Sequence, residues 1–150
     1  MIVTFDTNVL YYASASEKSS KAERARDLIA RGMRAEGCFL LLQTLAEFTN
    51  VAIRKAALPA ANVRTIMDAW RAALPVYAAE ADDVSAALEA VIGHRFAFWD
   101  AMLWAAARRL GVRHFLTEDM QDGFVLDGVR FLNPFVPANS DLIDEILPVS

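Results

Sequence analysis

The sequence predicts an α/β fold, a single domain over residues 1–150 with a mainly parallel five-stranded sheet flanked by helices. Short runs rich in β-branched, leucine and aromatic residues alternate along the chain with longer segments of helical periodicity. Alternation of this kind is typical of parallel sheets, whose strands are joined by crossover helices. The 150 residues have the length of one ordinary domain, and a hydrophobic content of 55% is enough for one well-buried core.

Five short apolar runs have the composition of strands. They are IVTF at 2–5, CFLLL at 38–42, the pair Val76 and Tyr77, RHFL at 113–116 and VRFL at 129–132. A continuous apolar run such as CFLLL is typical of a strand that is buried on both faces of a sheet. Gly and Pro are scattered singly, and no repeat, low-complexity tract or linker divides the chain.

Helices are predicted in the intervals. In chain order they run over 8–13 under an Asn8 cap, from Ser20 to Gly37, from Thr44 to Pro59, over 61–73, from Asp82 or Asp83 to about Ile92, over 98–110 before Gly111, and onward from a Ser140 cap. The segments Ser20-Lys21-Ala22-Glu23 and Thr44-Leu45-Ala46-Glu47 have the form of capping boxes. Glycine is a typical helix end, and proline interrupts helical periodicity.

Charge and apolar patterning narrow the classes of function. Fifteen basic against nineteen acidic residues give a formal charge of -4, which argues against a simple DNA-binding module. No stretch of about 18 uninterrupted apolar residues occurs, and the N-terminus carries an acid where a secretory signal needs positive charge. We therefore expect a soluble, cytoplasmic protein with no membrane segment. The single cysteine, Cys38, is expected to be a buried small hydrophobe.

Four acidic residues that are distant in sequence are predicted to meet at one edge of the sheet. Asp6 ends the first strand, and Asp119 follows the fourth strand in the acid-rich stretch LTEDMQDG. Glu47 and Asp100 lie in the first turns of two helices. In a parallel sheet with crossover helices, the C-terminal ends of strands and the N-terminal ends of helices share an edge, where open α/β sheets place their sites.

Each of these acids also has a structural interpretation, which the residues alone leave open. Glu47 fits the last position of its capping box, as Glu23 does in the first box, and Asp100 is favoured by the helix dipole. Asp6 and Asp119 are suited to turns. Against this, Glu47 and Asp100 are embedded in apolar sequence, where a charge needs a partner. Clustered carboxylates repel unless they are protonated or bridged by a cation, and oxygen ligands favour Mg²⁺ or Mn²⁺.

Four stretches, taken together and in this order, resemble the PIN domain. They are FDTNVL at 5–10, QTLAEFTN at 43–50, FWDAML at 98–103 and LTEDMQDG at 116–123. The resemblance covers essentially the whole chain, through NPF at 133–135, and is greatest to VapC-type toxins and their stand-alone relatives. It implies a Mg²⁺- or Mn²⁺-dependent endoribonuclease that acts on single-stranded or looped RNA. It also implies a homodimer and a cognate antitoxin whose tail occupies the active-site groove.

The resemblance also implies roles for particular residues. By position, the family's acidic quartet, which is catalytic and binds the metal, corresponds to Asp6, Glu47, Asp100 and Asp119. Asn8 and Thr117 match accessory polar positions. Asp122 is an extra acid that many members lack, and it is either a second-metal ligand or a turn residue before Gly123. Glu118 is expected to face solvent.

Several other polar and aromatic residues have two interpretations. Arg54, Lys55, Arg108 and Arg109 are candidates for phosphate contacts, or they belong to solvated helix faces. Neither histidine has metal-ligand spacing, so His94 and His114 are expected to be structural or exposed. The three tryptophans, at 70, 99 and 104, fit core or dimer contacts better than base-stacking positions.

Two other functions compete with the nuclease. A phosphoacceptor receiver-like domain also gathers acids and Mg²⁺ at a sheet edge, but it requires a lysine on its last strand, and neither RHFL nor VRFL contains one. A catalytically idle PIN-fold domain that binds nucleic acid or protein is the third possibility. An intact acidic quartet argues against it.

Overall fold

Seven α-helices and six strands lie along residues 2–150, which the computed structural model describes. Met1, the first residue of the predicted domain, lies outside the described residues. The elements are β1 Val3–Phe5, α1 Thr7–Ser14, α2 Ser20–Arg34, β2 Leu40–Leu41, α3 Leu42–Arg54, α4 Ala60–Ala73, β3 Val76–Tyr77, α5 Ala81–His94, α6 Phe98–Arg109, β4 His114–Leu116, β5 Val125–Leu126, β6 Val129–Leu132 and α7 Ser140–Ile146. Within residues 2–150, no helix has the length and apolar character needed to cross a membrane.

The strands form a four-stranded sheet and a two-stranded sheet. The prediction of one sheet with five strands is therefore wrong in the number of strands and in the number of sheets. The larger sheet has the order β1-β4-β6-β5, in which β1, β4 and β6 are parallel. The smaller sheet pairs β2 with β3 in parallel, and a parallel bridge between Val3 and Cys38 connects it to β1. Strand β5 was not predicted from the sequence; it forms a hairpin with β6 across Asp127 and Gly128, both at positive φ.

Alternating side chains on the strands divide the core into two layers. Phe115 of β4 and Phe131 of β6 pack on one face, mainly against α5 and α6. Leu116 and Leu132, which follow them in sequence, pack on the other face with α1 to α4 and α7. A period of two is the expected consequence of strand geometry. The predicted α/β fold, with helices on both sides of a mainly parallel sheet, is therefore confirmed.

Both predicted capping boxes are wrong, because each helix begins earlier than its box requires. Helix α2 is capped by Ser19, whose hydroxyl accepts a hydrogen bond from Ala22 N at 3.1 Å. Helix α3 begins at Leu42, directly after β2 and without a side-chain cap, so Thr44 already lies within the first turn. The capping box that does form belongs to α5, where Glu80 and Asp83 cap each other's backbone.

Substitution of Gly32 in α2, with Gly93 in α5 as the control, tests how tightly α2 packs on the sheet. A Cβ at Gly32 would lie 2.8 Å from Cys38 Sγ and 3.1 Å from the ring of the fully buried Phe5, whereas a Cβ at Gly93 would meet nothing within 4 Å. We expect Gly32→Ala to lower the free energy of unfolding by about 1–3 kcal/mol, despite the higher helix propensity of alanine.

The control, Gly93→Ala near the end of α5, is expected to be neutral or to stabilise by up to about 1 kcal/mol. Both values follow from urea unfolding monitored by circular dichroism. If the two variants are equally stable, the close contact between α2 and the strands is not present in solution.

Candidate active site

The candidate site begins where two parallel neighbours, β1 and β4, end. Asp6 follows β1, and its backbone N–H donates to Leu116 O at 2.9 Å. Its Oδ1 accepts from Thr7 N at 2.7 Å, so Asp6 is the N-cap of α1 and the predicted Asn8 cap is wrong. The chain turns into the helix two residues earlier than expected, and this leaves the Asn8 side chain free for tertiary contacts.

Thr117 connects the two strand ends through its hydroxyl group. Thr117 Oγ1 donates to Asp6 Oδ2 at 2.6 Å and accepts from Asp119 N at 3.1 Å. Thr117 is fully buried and Asp6 is 5% exposed, so water competes little for this contact. The hydroxyl therefore fixes the orientation of one carboxylate and the backbone that carries a second.

The Asn8 side chain links the same groups from α1. Its amide nitrogen lies 3.2 Å from Asp119 Oδ2, 3.3 Å from Thr117 Oγ1 and 3.4 Å from Asp6 Oδ2, while its oxygen accepts from Glu118 N at 3.3 Å. An amide can donate two hydrogen bonds and accept two. Asn8 therefore bridges the two predicted carboxylate ligands, in keeping with the accessory role that the resemblance implies.

Glu47 reaches the site from the first half of α3. Its two carboxylate oxygens accept from Thr7 Oγ1 at 2.9 Å and from Gln43 Nε2 at 2.8 Å. Gln43 also donates to Trp99 O at 2.9 Å, which connects α3 to the residue before Asp100. Glu47 makes side-chain contacts to another helix, so its carboxylate is oriented toward the sheet edge and does not cap its own helix.

The four predicted acids line one pocket of about 430 Å³. Its wall also includes Thr7, Asn8, Tyr11, Tyr12, Asn50, Val51, Lys55 and Glu118. Asp119 is exposed, whereas Asp6 lies at the buried end of the group. The sheet edge thus brings together carboxylates that are up to 113 positions apart in sequence, Asp6 and Asp119 being the extremes.

Burial and mutual repulsion raise the pKa values of two of these acids. Burial is the main cause for Asp6, whose pKa rises to about 6 although hydrogen bonds from Thr117 and Thr7 oppose the rise. The charges of Asp100 and Asp119 raise it further. Burial also raises the pKa of Asp100, and the charges of Glu47 and Asp119 add to this effect. All four carboxylates therefore interact electrostatically, as expected for a site that attracts cations.

The donor chemistry of the pocket fits a hard divalent cation. Its lining residues offer carboxylate, hydroxyl and amide oxygens and include neither histidine nor cysteine. As the side chains stand, no three Asp, Glu, His or Cys residues within 2–150 are grouped closely enough to coordinate an ion directly. Mg²⁺ keeps several waters and binds through one or two carboxylates, so direct coordination by three acids is not required. For such an ion, the electrostatic interaction among the acids is a better indication of a binding site than their grouping for direct coordination.

Several residues that were predicted to act at the site lie elsewhere. Both Asp122 carboxylate oxygens accept hydrogen bonds from the 133–139 segment, at 2.8 Å from Asn133 N and at 2.9 and 3.1 Å from the Asn139 amide, which favours the turn interpretation. Arg108 pairs with Asp127 at 3.3 Å and lies over the Trp104 ring.

Of the other three candidate cations, one lines the pocket and two do not. Arg54 is exposed and does not line the pocket, whereas Lys55 does. Arg109 pairs with Asp83 at 3.1 Å and is a structural residue of the α5–α6 contact. Of the four candidates for phosphate contacts, Lys55 alone lines the acidic pocket.

The residues that support the acids were not predicted from the sequence. Thr7, which directly follows Asp6, and Gln43, one turn before Glu47, both hold Glu47, and neither carries a local signal of this role. Glu118 was expected to face solvent, but its side chain is 18% exposed, forms an ion pair with Lys21 at 2.8 Å and accepts from the Tyr12 hydroxyl. Its partners belong to α1 and α2, and no spacing rule relates them to it.

The tryptophans, histidines and cysteine are mostly structural. Trp70 packs edge-on against Phe48, and Trp104 donates to Leu126 O at 3.2 Å. Trp99, 63% exposed, is the exception. His94 is exposed and His114 is half-buried. Burial raises the pKa of the Cys38 thiol to about 12, which confirms that it is an inert, buried side chain.

The sequence of residues 3–121 matches the family model of the PIN domain. The chain belongs to the PIN domain family. The match spans all four acids of the pocket together with Asn8 and Thr117. It ends before Asn133 and Asn139, the partners of Asp122.

A solved structure agrees with this assignment at the level of the fold. The PIN domain described above is similar to VapC20 of Mycobacterium tuberculosis, described as a sarcin-ricin loop cleaving toxin, with a TM-score of 0.61 and 18% sequence identity. The similarity covers 75% of this chain and 86% of that one. No curated protein matches the sequence.

The raised pKa of Asp6 predicts a pH-dependent stability in the metal-free PIN domain. Because the pKa rises from 3.8 in the unfolded chain to about 6, the folded state binds the proton more tightly. The associated stabilisation is complete below about pH 4 and is lost as the pH rises through 6. Asp6→Asn keeps the capping oxygen but does not titrate. Its advantage in unfolding free energy over the wild type should therefore grow by roughly 3 kcal/mol between pH 4 and 7.

The measurement is urea unfolding in EDTA across this pH range. Asp68→Asn is the matched control, because Asp68 is an exposed residue of α4 paired with Arg64 at 3.6 Å. A constant difference between wild type and Asp6→Asn would contradict the burial and repulsion assigned to Asp6.

Proposed function

We propose that the protein is a divalent-metal-dependent endoribonuclease that hydrolyses phosphodiester bonds of RNA. The observation that carries the proposal is the convergence of Asp6, Glu47, Asp100 and Asp119 on one open pocket at the carboxyl edge of a parallel sheet. Burial and the charges of neighbouring acids raise the pKa values of Asp6 and Asp100, which costs stability that a bound cation offsets.

In this proposal, Asp6, Glu47, Asp100 and Asp119 hold Mg²⁺ or Mn²⁺. When bound, such an ion favours deprotonation of a water molecule and stabilises negative charge on the phosphoryl and leaving oxygens. Thr117 and Asn8 hold Asp6 and Asp119 in place through the hydrogen bonds described above. Thr7 and Gln43 do the same for Glu47. Lys55, on the wall of the pocket, contacts a phosphate of the RNA.

We further propose that the protein is the toxin of a type II toxin–antitoxin pair, acting in the cytoplasm. Support comes from the PIN domain match and from the similarity to VapC20, which is described as a toxin that cleaves the sarcin-ricin loop. A cognate antitoxin that covers the acidic pocket, and a homodimeric assembly, belong to the same proposal. RNA is the proposed substrate.

Asp100→Asn should abolish cleavage and leave the fold intact. Asparagine has the same size as aspartate and removes one of the repelling charges, so unfolding free energy should be unchanged or slightly higher. We expect cleavage of a panel of structured and single-stranded RNAs to fall by about 100-fold or more. The assay uses purified protein with Mg²⁺, Mn²⁺ or EDTA.

The control for this variant is Asp68→Asn, which removes an exposed acid outside the pocket. Unchanged cleavage by Asp100→Asn would remove Asp100 from the site. A folded protein that binds the metal but cleaves no RNA in the panel would favour the idle binding domain over the nuclease.

Metal binding should also be visible without a nuclease assay. At pH 8, Mg²⁺ or Mn²⁺ should raise the melting temperature, because a bound cation relieves the repulsion among the four carboxylates. The shift should be smaller in Asp100→Asn and unchanged in Asp68→Asn. Differential scanning calorimetry with increasing metal concentration measures it. Equal shifts in all three proteins would show that the ion binds outside the acidic pocket.

A further inference from the structure

A second pocket adjoins the acidic pocket on its α5–α6 side. It has a volume of about 330 Å³ and shares Asp100 and Asp119 with the first pocket. Its remaining wall carries one arginine, Arg95, together with polar and apolar side chains that include His94, Gln121 and Phe124. Two of the four acids therefore lie on the boundary between two pockets, and the acidic site is open on both sides.

Arg95 occupies an unfavourable backbone conformation at this second pocket. It follows α5 with φ 58° and ψ 28°, the left-handed region in which helix C-termini usually place glycine. A side chain other than glycine is strained there, at an energetic cost that glycine would avoid. Within residues 2–150, the exposed Arg95 guanidinium forms no ion pair. No ion pair within these residues therefore offsets the strain.

Lys55 occupies a comparable position at the first pocket. It is exposed, lies 6.0 Å from the centre of the Tyr11 ring and, within the described residues, forms no ion pair. Other cations, such as Arg71, are also unpaired, but they line neither pocket. Lys55 therefore lines the pocket on one side of the acids, and Arg95 lines the pocket on the other side.

We propose that the two pockets form one continuous groove for a single strand of RNA, with Lys55 and Arg95 binding phosphates on opposite sides of the cleaved bond. The inference rests on the proposed function and adds Arg95 as a substrate-binding residue. An RNA backbone that crosses four carboxylates is repelled, and cations on both sides hold it in place. Phe124 is half-buried in the same pocket wall, where its ring packs against those of His94, Phe96 and Phe131.

Arg95→Gly separates this role from a structural one, because it should have opposite effects on stability and binding. Glycine relieves the left-handed strain, so the urea midpoint of unfolding should rise. Loss of the guanidinium should weaken RNA binding about tenfold, the usual magnitude for a charge-assisted hydrogen bond. It should also reduce the dependence of affinity on salt. A purely structural arginine would not give this combination.

The binding assay is fluorescence anisotropy of a labelled single-stranded RNA in Mg²⁺, with Asp100→Asn as the parent protein so that cleavage does not interfere. Ala57→Gly relieves a similar conformation, φ 52°, outside both pockets, and should raise the midpoint without changing affinity. Arg71→Ala removes an exposed cation elsewhere and should leave affinity nearly unchanged. Lys55→Ala should weaken binding to an extent similar to Arg95→Gly.

The outcomes distinguish the groove from the nuclease. Unchanged affinity in Arg95→Gly overturns the groove, even if the wild-type protein cleaves RNA. A tenfold loss in Arg95→Gly, with no loss in Ala57→Gly and Arg71→Ala, supports the groove even if no cleavage is found, in which case the nuclease proposal fails alone. A parent protein that binds no single-stranded RNA overturns the groove as well.

Discussion

The candidate site depends on the hydrogen bond from the Thr117 hydroxyl to Asp6, which joins the ends of two neighbouring parallel strands. The same hydroxyl orients the backbone of Asp119, and Asn8 spans both carboxylates. Since Thr117 and Asp6 are almost entirely buried, this contact is made at low dielectric and is difficult to replace with water. Asp6 and Asp119 are thereby positioned by the strand ends, whereas Glu47 and Asp100 are carried by helices α3 and α6.

The rest of the structure stabilises this sheet edge, where the acids repel one another. Asp6 and Asp100 are held in surroundings that raise their pKa values, and Arg95 nearby is held in a strained conformation. The two apolar layers on either side of the sheet provide the stability that such an edge lacks. Concentration of unfavourable features at one edge is common at functional sites, where activity and stability conflict.

Local sequence signals located the elements well but placed their ends poorly. The third strand at Val76–Tyr77 and the last at Val129–Leu132 lie where composition predicted them. The capping boxes failed because a Ser/Thr-x-x-Glu pattern does not reveal where the chain enters a helix. In α3 the preceding strand leads directly into Leu42, so Glu47 is in the second turn and contacts Thr7 and Gln43.

The sequence by itself determined the alternation of strands and helices, and therefore the sheet edge at which Asp6, Glu47, Asp100 and Asp119 lie, because periodicity and parallel pairing are local and topological properties. Tertiary structure alone decided which cations accompany them. Arg108 is on the same helix as Asp100, but eight residues at 1.5 Å each separate the two by about 12 Å along its axis. Arg95 precedes the helix and lines the pocket. Side-chain partnership depends on distances across the fold, which no sequence spacing encodes.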